Sequence, residues 1–396
     1  MVISGRGGLL ARVSLVSSLL VPRASSASYA SNGYDAVLAL QAWYNQSTGL
    51  WETAGWWNSA NCLTVLGDFA LGNSSASNAL SIPSIMTNTF THAQGNRAVA
   101  QKSIATNGLV TSVYAVPTLA KRDGFAGFLN DYYDDEGWWA LALIRAWDVT
   151  SDSSFLDMAE NIFGNMMNGT DDTCGGGIWW SKSNTYKNAI ANELYLSVAA
   201  SLANRVSNSS VPYRDIAQKQ WAWFQNSGLI NSGHLINDGL AILANGTCIN
   251  NGVTTWSYNQ GVVLGGLVEL ARATNNTSLL AGPATEIALA AVAALSDANG
   301  TIHEAGGCEP NCGADGAQFK GIFLRNLHYL YRAHPAGLDA VRTAILHNAD
   351  SIWAYDRDGP GRIGIDWAGP PSAGGGPNAS THSSGMDTIV GAMAVA

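Results

Sequence analysis

The sequence predicts an all-α protein, an (α/α)6 toroid of six helical hairpins, and two observations carry that reading. Six segments share one form. Aromatic, glycine or polar residues lead into a run of small and apolar residues with no single polar face. Helices that are apolar all round belong in an interior. Between them lie stretches whose apolar residues recur at helical spacing along one side only, as in helices that cover a core.

The interior set opens at Trp56-Trp57-Asn58, Gly137-Trp138-Trp139, Lys187-Asn188, Trp256-Ser257-Tyr258-Asn259-Gln260, Phe319-Lys320 and Ser384-Gly385-Met386-Asp387. The exterior set is predicted over 34–46, 96–106, 153–167, 213–227, 278–295 and 336–352. Phe155, Met158, Ala159, Ile162 and Phe163 follow the three-and-four spacing of one buried face. Pro212 suits a helix start. The glycine- and asparagine-rich segments 170–177, 245–253, 304–317 and 359–380 read as loops. The interior motifs are too unevenly spaced for a short-period solenoid, and no regular β-rich runs support a two-domain α/β chain. Residues 28–396 are therefore read as one domain. In a toroid the interior helices all begin at one rim, which gathers their chemically rich first turns.

Composition narrows the function. The chain has 396 residues, 47% hydrophobic and 12% charged, which excludes a disordered protein. A net charge of −9 and the lack of a polybasic stretch argue against nucleic-acid and anionic-membrane partners. Residues 1–27 read as a secretory signal. Arg6 and Arg12 precede a short apolar run at 13–21, and Ser25 and Ala27 fit a cleavage site. Sequons at Asn45, Asn73, Asn168, Asn208, Asn245, Asn275, Asn276, Asn299 and Asn378 agree with export. Cys308 and Cys312 fit a small loop disulfide better than a zinc site, Cys174 and Cys248 a second bridge, and Cys62 a buried free thiol. The C-terminal tail is short for a lipid-anchor signal. The expectation is a soluble, secreted monomer with no membrane anchor, metal or cofactor.

The sharpest chemical feature is Asp131-Tyr132-Tyr133-Asp134-Asp135-Glu136-Gly137-Trp138-Trp139. Acids in the first turn of a helix are favoured by its dipole, so helix capping accounts for part of this run. Three acids crowded among aromatics at the mouth of a toroid also suit glycoside hydrolysis. That reaction needs one carboxylic acid to protonate the leaving oxygen and a second carboxylate to attack the anomeric carbon or activate water. Crowding drives the two pKa values apart.

The run from Tyr133 to Arg145 resembles the signature of glycoside hydrolase family 76. The likeness continues through Gly175-Gly176-Gly177-Ile178-Trp179-Trp180, Lys187 to Leu194, Trp256 to Gly261 and Phe319-Lys320-Gly321. The resemblance implies an (α/α)6 fold and retaining, endo-acting cleavage of α-1,6-linked mannan. Asp134 would be the nucleophile and Asp135 the acid/base. Trp56, Trp57, Asn58, Tyr133, Trp138, Trp139, Trp179, Trp180, Asn192, Tyr258, Asn259, Gln260 and Lys320 are the expected substrate contacts, and Asp387 is a weaker candidate for the same rim. The alternatives are transfer of the glycosyl unit to another sugar, as in cell-wall remodelling, and a non-catalytic mannan-binding protein.

Overall fold

The computed structural model describes residues 24–94, 100–105, 110–114 and 127–396. Six helices form the interior: α2 (Trp56–Gly72), α4 (Tyr133–Thr150), α6 (Ala189–Ala203), α8 (Ser257–Thr274), α10 (Phe319–Ala333) and α12 (Ala379–Val395). Six more flank them: α1 (Ser26–Leu40), α3 (Ile82–Ala93), α5 (Ser153–Met167), α7 (Tyr213–Asn226), α9 (Thr285–Leu295) and α11 (Asp339–Tyr355). Helix α2 packs on α4, α4 on α6, α6 on α8, α8 on α10, α10 on α12, and α12 returns to α2. The ring is closed, and the six-hairpin toroid is the observed fold.

The first turns explain where the helices start. Asn188 caps α6 by accepting from Ala191 N, and Asn378 caps α12 in a capping box with Thr381. Asp152 caps α5. Pro212 stands at the N-cap of α7, as the sequence suggested. Where the interior helices touch, their residues are small because neighbours press on several sides. A Cβ at Gly321 of α10 would lie 2.4 Å from Ser384 Cα of α12, and one at Gly261 of α8 would lie 2.7 Å from Phe323 Cα. At both places backbone meets backbone.

One exterior helix differs from expectation. The second is α3, at 82–93, and not 96–106. Described residues in the predicted stretch belong instead to a strand, β3 (Ala100–Ile104), paired antiparallel with β4 (Val110–Tyr114). Residues 96–99 and 106 of that prediction lie outside the described residues. β-branched residues flank Asn107-Gly108 in the sequence, a pair that favours a hairpin over a helix. Two shorter antiparallel pairs, Tyr44–Asn45 with Leu50–Trp51 and Leu240–Ile242 with Cys248–Asn250, also sit in connections.

Disulfides join Cys174 to Cys248 and Cys308 to Cys312, and Cys62 is a buried thiol, all as expected. Most of the expected leader, residues 1–23, lies outside the described residues. Its expected cut after Ala27 falls inside the first turn of α1, which Ser25 caps.

The contact at Gly321 yields a stability prediction. Gly321→Ala forces α10 and α12 apart and costs about 1–3 kcal/mol. It lowers the urea midpoint with an unchanged m value. An unchanged midpoint would mean the two helices do not meet there.

Candidate active site

Tyr132 is the N-cap of α4, so Asp134, Asp135 and Glu136 all occupy its first turn. The exposed N–H groups of that turn favour anions. The loop carrying Trp179 and Trp180 is tied alongside: Tyr133 N donates to Trp180 O at 2.9 Å, and Tyr132 bridges to Ser181. All three acids are buried.

They are not equivalent. Glu136 is saturated, accepting from Asn130 N at 3.1 Å, Lys182 Nζ at 2.7 Å and Asn165 Nδ2 at 2.6 Å. It braces the turn. Asp134 Oδ2 accepts from Trp180 Nε1 at 3.0 Å and Lys102 Nζ at 3.0 Å, while its Oδ1 has no hydrogen-bond partner. Asp135 has both oxygens engaged, Oδ2 by Asn130 Nδ2 at 2.7 Å and Oδ1 by Lys102 Nζ. Burial pushes the Asp135 carboxyl up to about 7; the Lys102 charge pulls it down and the Asp134 charge adds to the rise. Burial would lower the Lys102 pKa, but the charges of Asp134 and Asp135 outweigh it and the ammonium is held charged.

Lys102 belongs to β3, and its hairpin is anchored across the mouth. Lys102 N donates to Tyr132 Oη at 3.1 Å. On β4, Ser112 donates from N and Oγ to Asp315 Oδ2 at 3.1 and 2.6 Å. Asp315 Oδ1 accepts from Trp57 Nε1 at 2.9 Å. From there an aromatic floor crosses the toroid. Trp57 stacks on Trp138 at 5.5 Å, Trp138 on Tyr258 at 6.4 Å, and Tyr258 on Phe319 at 3.8 Å.

A second polar group lies beside this floor. Neither carboxylate oxygen of Glu193 and neither amide atom of Asn259 has a hydrogen-bond partner, though both side chains are fully buried. Burial and the Asp238 charge hold Glu193 well above the usual carboxyl range. Asp238, pushed up to about 6 by burial, accepts from Tyr186 Oη at 2.5 Å. The charges of Asp238, Asp134 and Glu193 all bear on the buried Tyr258 hydroxyl. Three buried acids thus share the space below the mouth, and unpaired polar atoms there call for a hydroxyl-bearing ligand.

The structure sorts the expected contacts. Asp134, Asp135, Trp57, Trp138, Trp180 and Tyr258 come together, and Asn259 follows Tyr258 in the first turn of α8. Others are engaged elsewhere. Trp56 and Trp139 pack on Phe128 in the core. Asn192 spends its amide on Ile178 N and O, Asn188 O and Gln220. Gln260 spends its own on Ile236 N and O and Trp256 O. Asn58 is tied to Gln318, Trp179 to Asp171, and Lys320 to Glu309 and Ile365 O. The Tyr133 ring packs under Gly169. Asp387 lies midway along α12, 3.8 Å from Arg325 and away from the rim. The expected contacts do not include Lys102, Asp238 or Asp315, nor Glu193, which lies within the family-like segment Lys187 to Leu194. The β-branched residues around Asn107-Gly108 are the signal that would place Lys102 on a strand in place of the expected helix over 96–106.

Residues 87–395 match the family model described as glycosyl hydrolase family 76. The mannan endo-1,6-alpha-mannosidase DFG5 of Candida albicans is 31% identical over 233 residues, covering 55% of this chain and 50% of its own. The mannan endo-1,6-alpha-mannosidase DCW1 of Saccharomyces cerevisiae is 31% identical over 227 residues, covering 51% of this chain and 49% of its own. This chain thus spans about half the length of these curated relatives. Among solved structures, an inactive variant of a Salegentibacter α-1,6-mannanase, with two consecutive aspartates changed to asparagine, is bound to α-1,6-mannotriose. It superposes with a TM-score of 0.73 at 19% identity, covering 93% of this chain and 100% of the other. Dfg5 of Chaetomium thermophilum, in complex with glucosamine, gives 0.73 at 17% identity, covering 95% and 92%. The structures share the fold and the family model covers most of the sequence: this chain belongs to glycosyl hydrolase family 76.

Proposed function

We propose that this protein is a retaining endo-α-1,6-mannanase, with Asp134 as nucleophile and Asp135 as acid/base. One observation carries the reading: two neighbouring buried carboxylates sit in unlike surroundings. Asp134 has an oxygen free of hydrogen bonds, as an attacking atom requires. Asp135 is pushed up to about 7, where a carboxyl can both give and take a proton near neutral pH. The fungal relatives, named as mannan endo-1,6-alpha-mannosidases, favour mannan, and the inactive Salegentibacter variant supports a role for paired aspartates.

In the first step Asp134 Oδ1 bonds to the anomeric carbon. The bond to the glycosidic oxygen breaks as that oxygen takes the Asp135 proton. In the second step Asp135, now ionised, takes a proton from water, and the water oxygen displaces Asp134 from the sugar. Lys102 fills the gap between the two carboxylates, so a sugar reaching them has to displace its ammonium. Glu193 and Asn259 then offer partners to sugar hydroxyls, and the Trp57 and Trp138 faces offer an apolar surface to the pyranose ring. The reaction as written uses no cofactor. Two disulfides favour an oxidising compartment, and with nine sequons they support action outside the cell.

The test is linear, debranched α-1,6-mannan with reducing ends and oligosaccharide products followed over time. Short mannooligosaccharides are expected. Asp135→Asn should lower kcat/KM by about 10²- to 10⁴-fold, and Asp134→Asn by at least as much. Tight mannan binding with no turnover in the unmodified protein would replace this reading with a binding module.

The pH dependence has a definite sign. Asp135 must carry its proton into the first step, so kcat/KM falls about tenfold per pH unit above roughly 7. The Lys102 charge lowers the Asp135 pKa, so Lys102→Ala moves that descending limb to higher pH. A limb that stays in place would remove Lys102 from the neighbourhood of the acid.

A further inference from the structure

At the rim opposite the two aspartates, where the interior helices end, a cavity of about 620 Å³ runs up the axis to the underside of Trp138. Arg145, Arg205, Arg272, Arg325 and Arg332 line it, five of the chain's twenty lysines and arginines. The chain carries a net charge of −9, so this is a local reversal of sign.

Cations at helix C-termini have an ordinary explanation, since they complement the dipole. It covers Arg272 and Arg332, which stand in last turns, and Arg205, just past one; acids hold Arg145 as well as Arg205 and Arg272. Arg145 pairs with Asp68 at 2.9 Å and Asp148 at 3.1 Å. Arg205 pairs with Asp148 at 2.8 Å and Glu269 at 3.0 Å, and Arg272 with Glu269 at 3.3 Å. Those three arginines and three acids form a closed network.

Arg325 and Arg332 stand outside it. Arg325 lies near the middle of α10, two turns before the helix ends at Ala333, beyond the reach of the terminal dipole. It is only 3% exposed. Its Nη2 donates to Asn61 Oδ1, but its Nη1 has no hydrogen-bond partner. The nearest carboxylate, Asp387, is 3.8 Å away and is itself pushed up to about 7 by burial, which weakens it as a counter-charge. Asn61 Nδ2, on a residue 2% exposed, also lacks an acceptor. A buried guanidinium is costly unless its donors are matched. Two donor groups with no hydrogen-bonded acceptor therefore line the deep end of one cavity, and Asp387 Oδ1, likewise without a hydrogen bond, stays 3.8 Å from the guanidinium. Arg332 is seven residues further along the same helix, about 10 Å towards the mouth. It is exposed and makes no ion pair among the described residues.

We propose that this axial cavity binds a small oxyanion, held by Arg325 and Asn61 at the deep end with Arg332 at the entrance. Guanidinium N–H groups suit the paired oxygens of a phosphate or carboxylate, and Arg325 with Asn61 supplies the two unmatched donors such a group needs. The site is separated from Asp134 and Asp135 by the aromatic floor, so occupancy is independent of sugar in the mouth.

Calorimetric titration of the purified protein with inorganic phosphate, and separately with acetate, at ionic strength matched with sodium chloride, tests this. Saturable binding of one ion per chain is expected, and the two titrations distinguish a phosphate from a carboxylate. Arg332→Gln, an exposed change, should weaken affinity about tenfold. Arg325→Met should abolish binding; if that variant does not fold, Arg332→Gln alone decides. α-1,6-Mannotriose should leave the affinity unchanged. No heat beyond the chloride control, binding indifferent to Arg332→Gln, or competition by mannotriose would each overturn the proposal.

Discussion

Helices surrounded by other helices have to meet backbone to backbone, and that closeness governs where anything else in the molecule can be placed. Where these helices touch, little beyond small and apolar side chains fits; at Gly321 and Gly261 no side chain fits at all. With Arg325 and Asp387, midway along α10 and α12, as exceptions, most ionisable groups of these helices stand towards the two ends of the ring. There the helices present opposite partial charges, unpaired N–H groups at one rim and unpaired carbonyls at the other. The distribution of charge follows. Asp134, Asp135 and Glu136 fill a first turn, while Arg205, Arg272 and Arg332 stand at or beside last turns.

At the acidic rim the same closeness converts a capping preference into chemistry. An exposed first-turn aspartate is a weak stabiliser and an ordinary acid. Buried beside a neighbour, with Asn130 and Lys102 as partners, the Asp135 carboxyl is pushed up to about 7, while Asp134 keeps one oxygen free of hydrogen bonds. Glu136, one residue on, shows the contrast. Three donors saturate it and it holds the turn in place. Identity alone does not distinguish the three acids; the number of donors aimed at each one does.

Much of this was legible in the sequence. The exterior helix at 153–167 was readable because Phe155, Ala159, Ile162 and Phe163 repeat with a helix's period. The adjacent aspartates stood out because acids among tryptophans at a helix start are unusual company. Other features were not legible. Lys102 lies more than thirty residues before the aspartates and reaches them only because β3 folds back across the mouth. The sequence between the strands carries a hairpin signal, but the apolar spacing over 96–106 also fits a helix. Asn192 and Gln260 look, as residues, like good partners for sugar hydroxyls. Local loops at Ile178 and Ile236 take up their amides, and no periodicity reveals that. Glu193 is silent for the opposite reason: its neighbours leave it unpaired, and absence of a partner has no sequence pattern.

Lys187 shows how the rim keeps its shape. Its ammonium is buried in the glycine-rich loop and bonded to Asp171 Oδ1 at 2.7 Å, Thr173 O at 2.7 Å, Gly176 O at 2.8 Å and Gly177 O at 3.1 Å. A ring of carbonyls with one carboxylate is the shell that loops elsewhere wrap around calcium. Here the central charge is part of the polypeptide. It cannot be diluted away, exchanged for another ion or stripped by a chelator, and the segment carrying Trp179 and Trp180 is ordered as soon as the chain folds. The architecture of the rim at this loop is therefore independent of any mineral ion the surroundings supply.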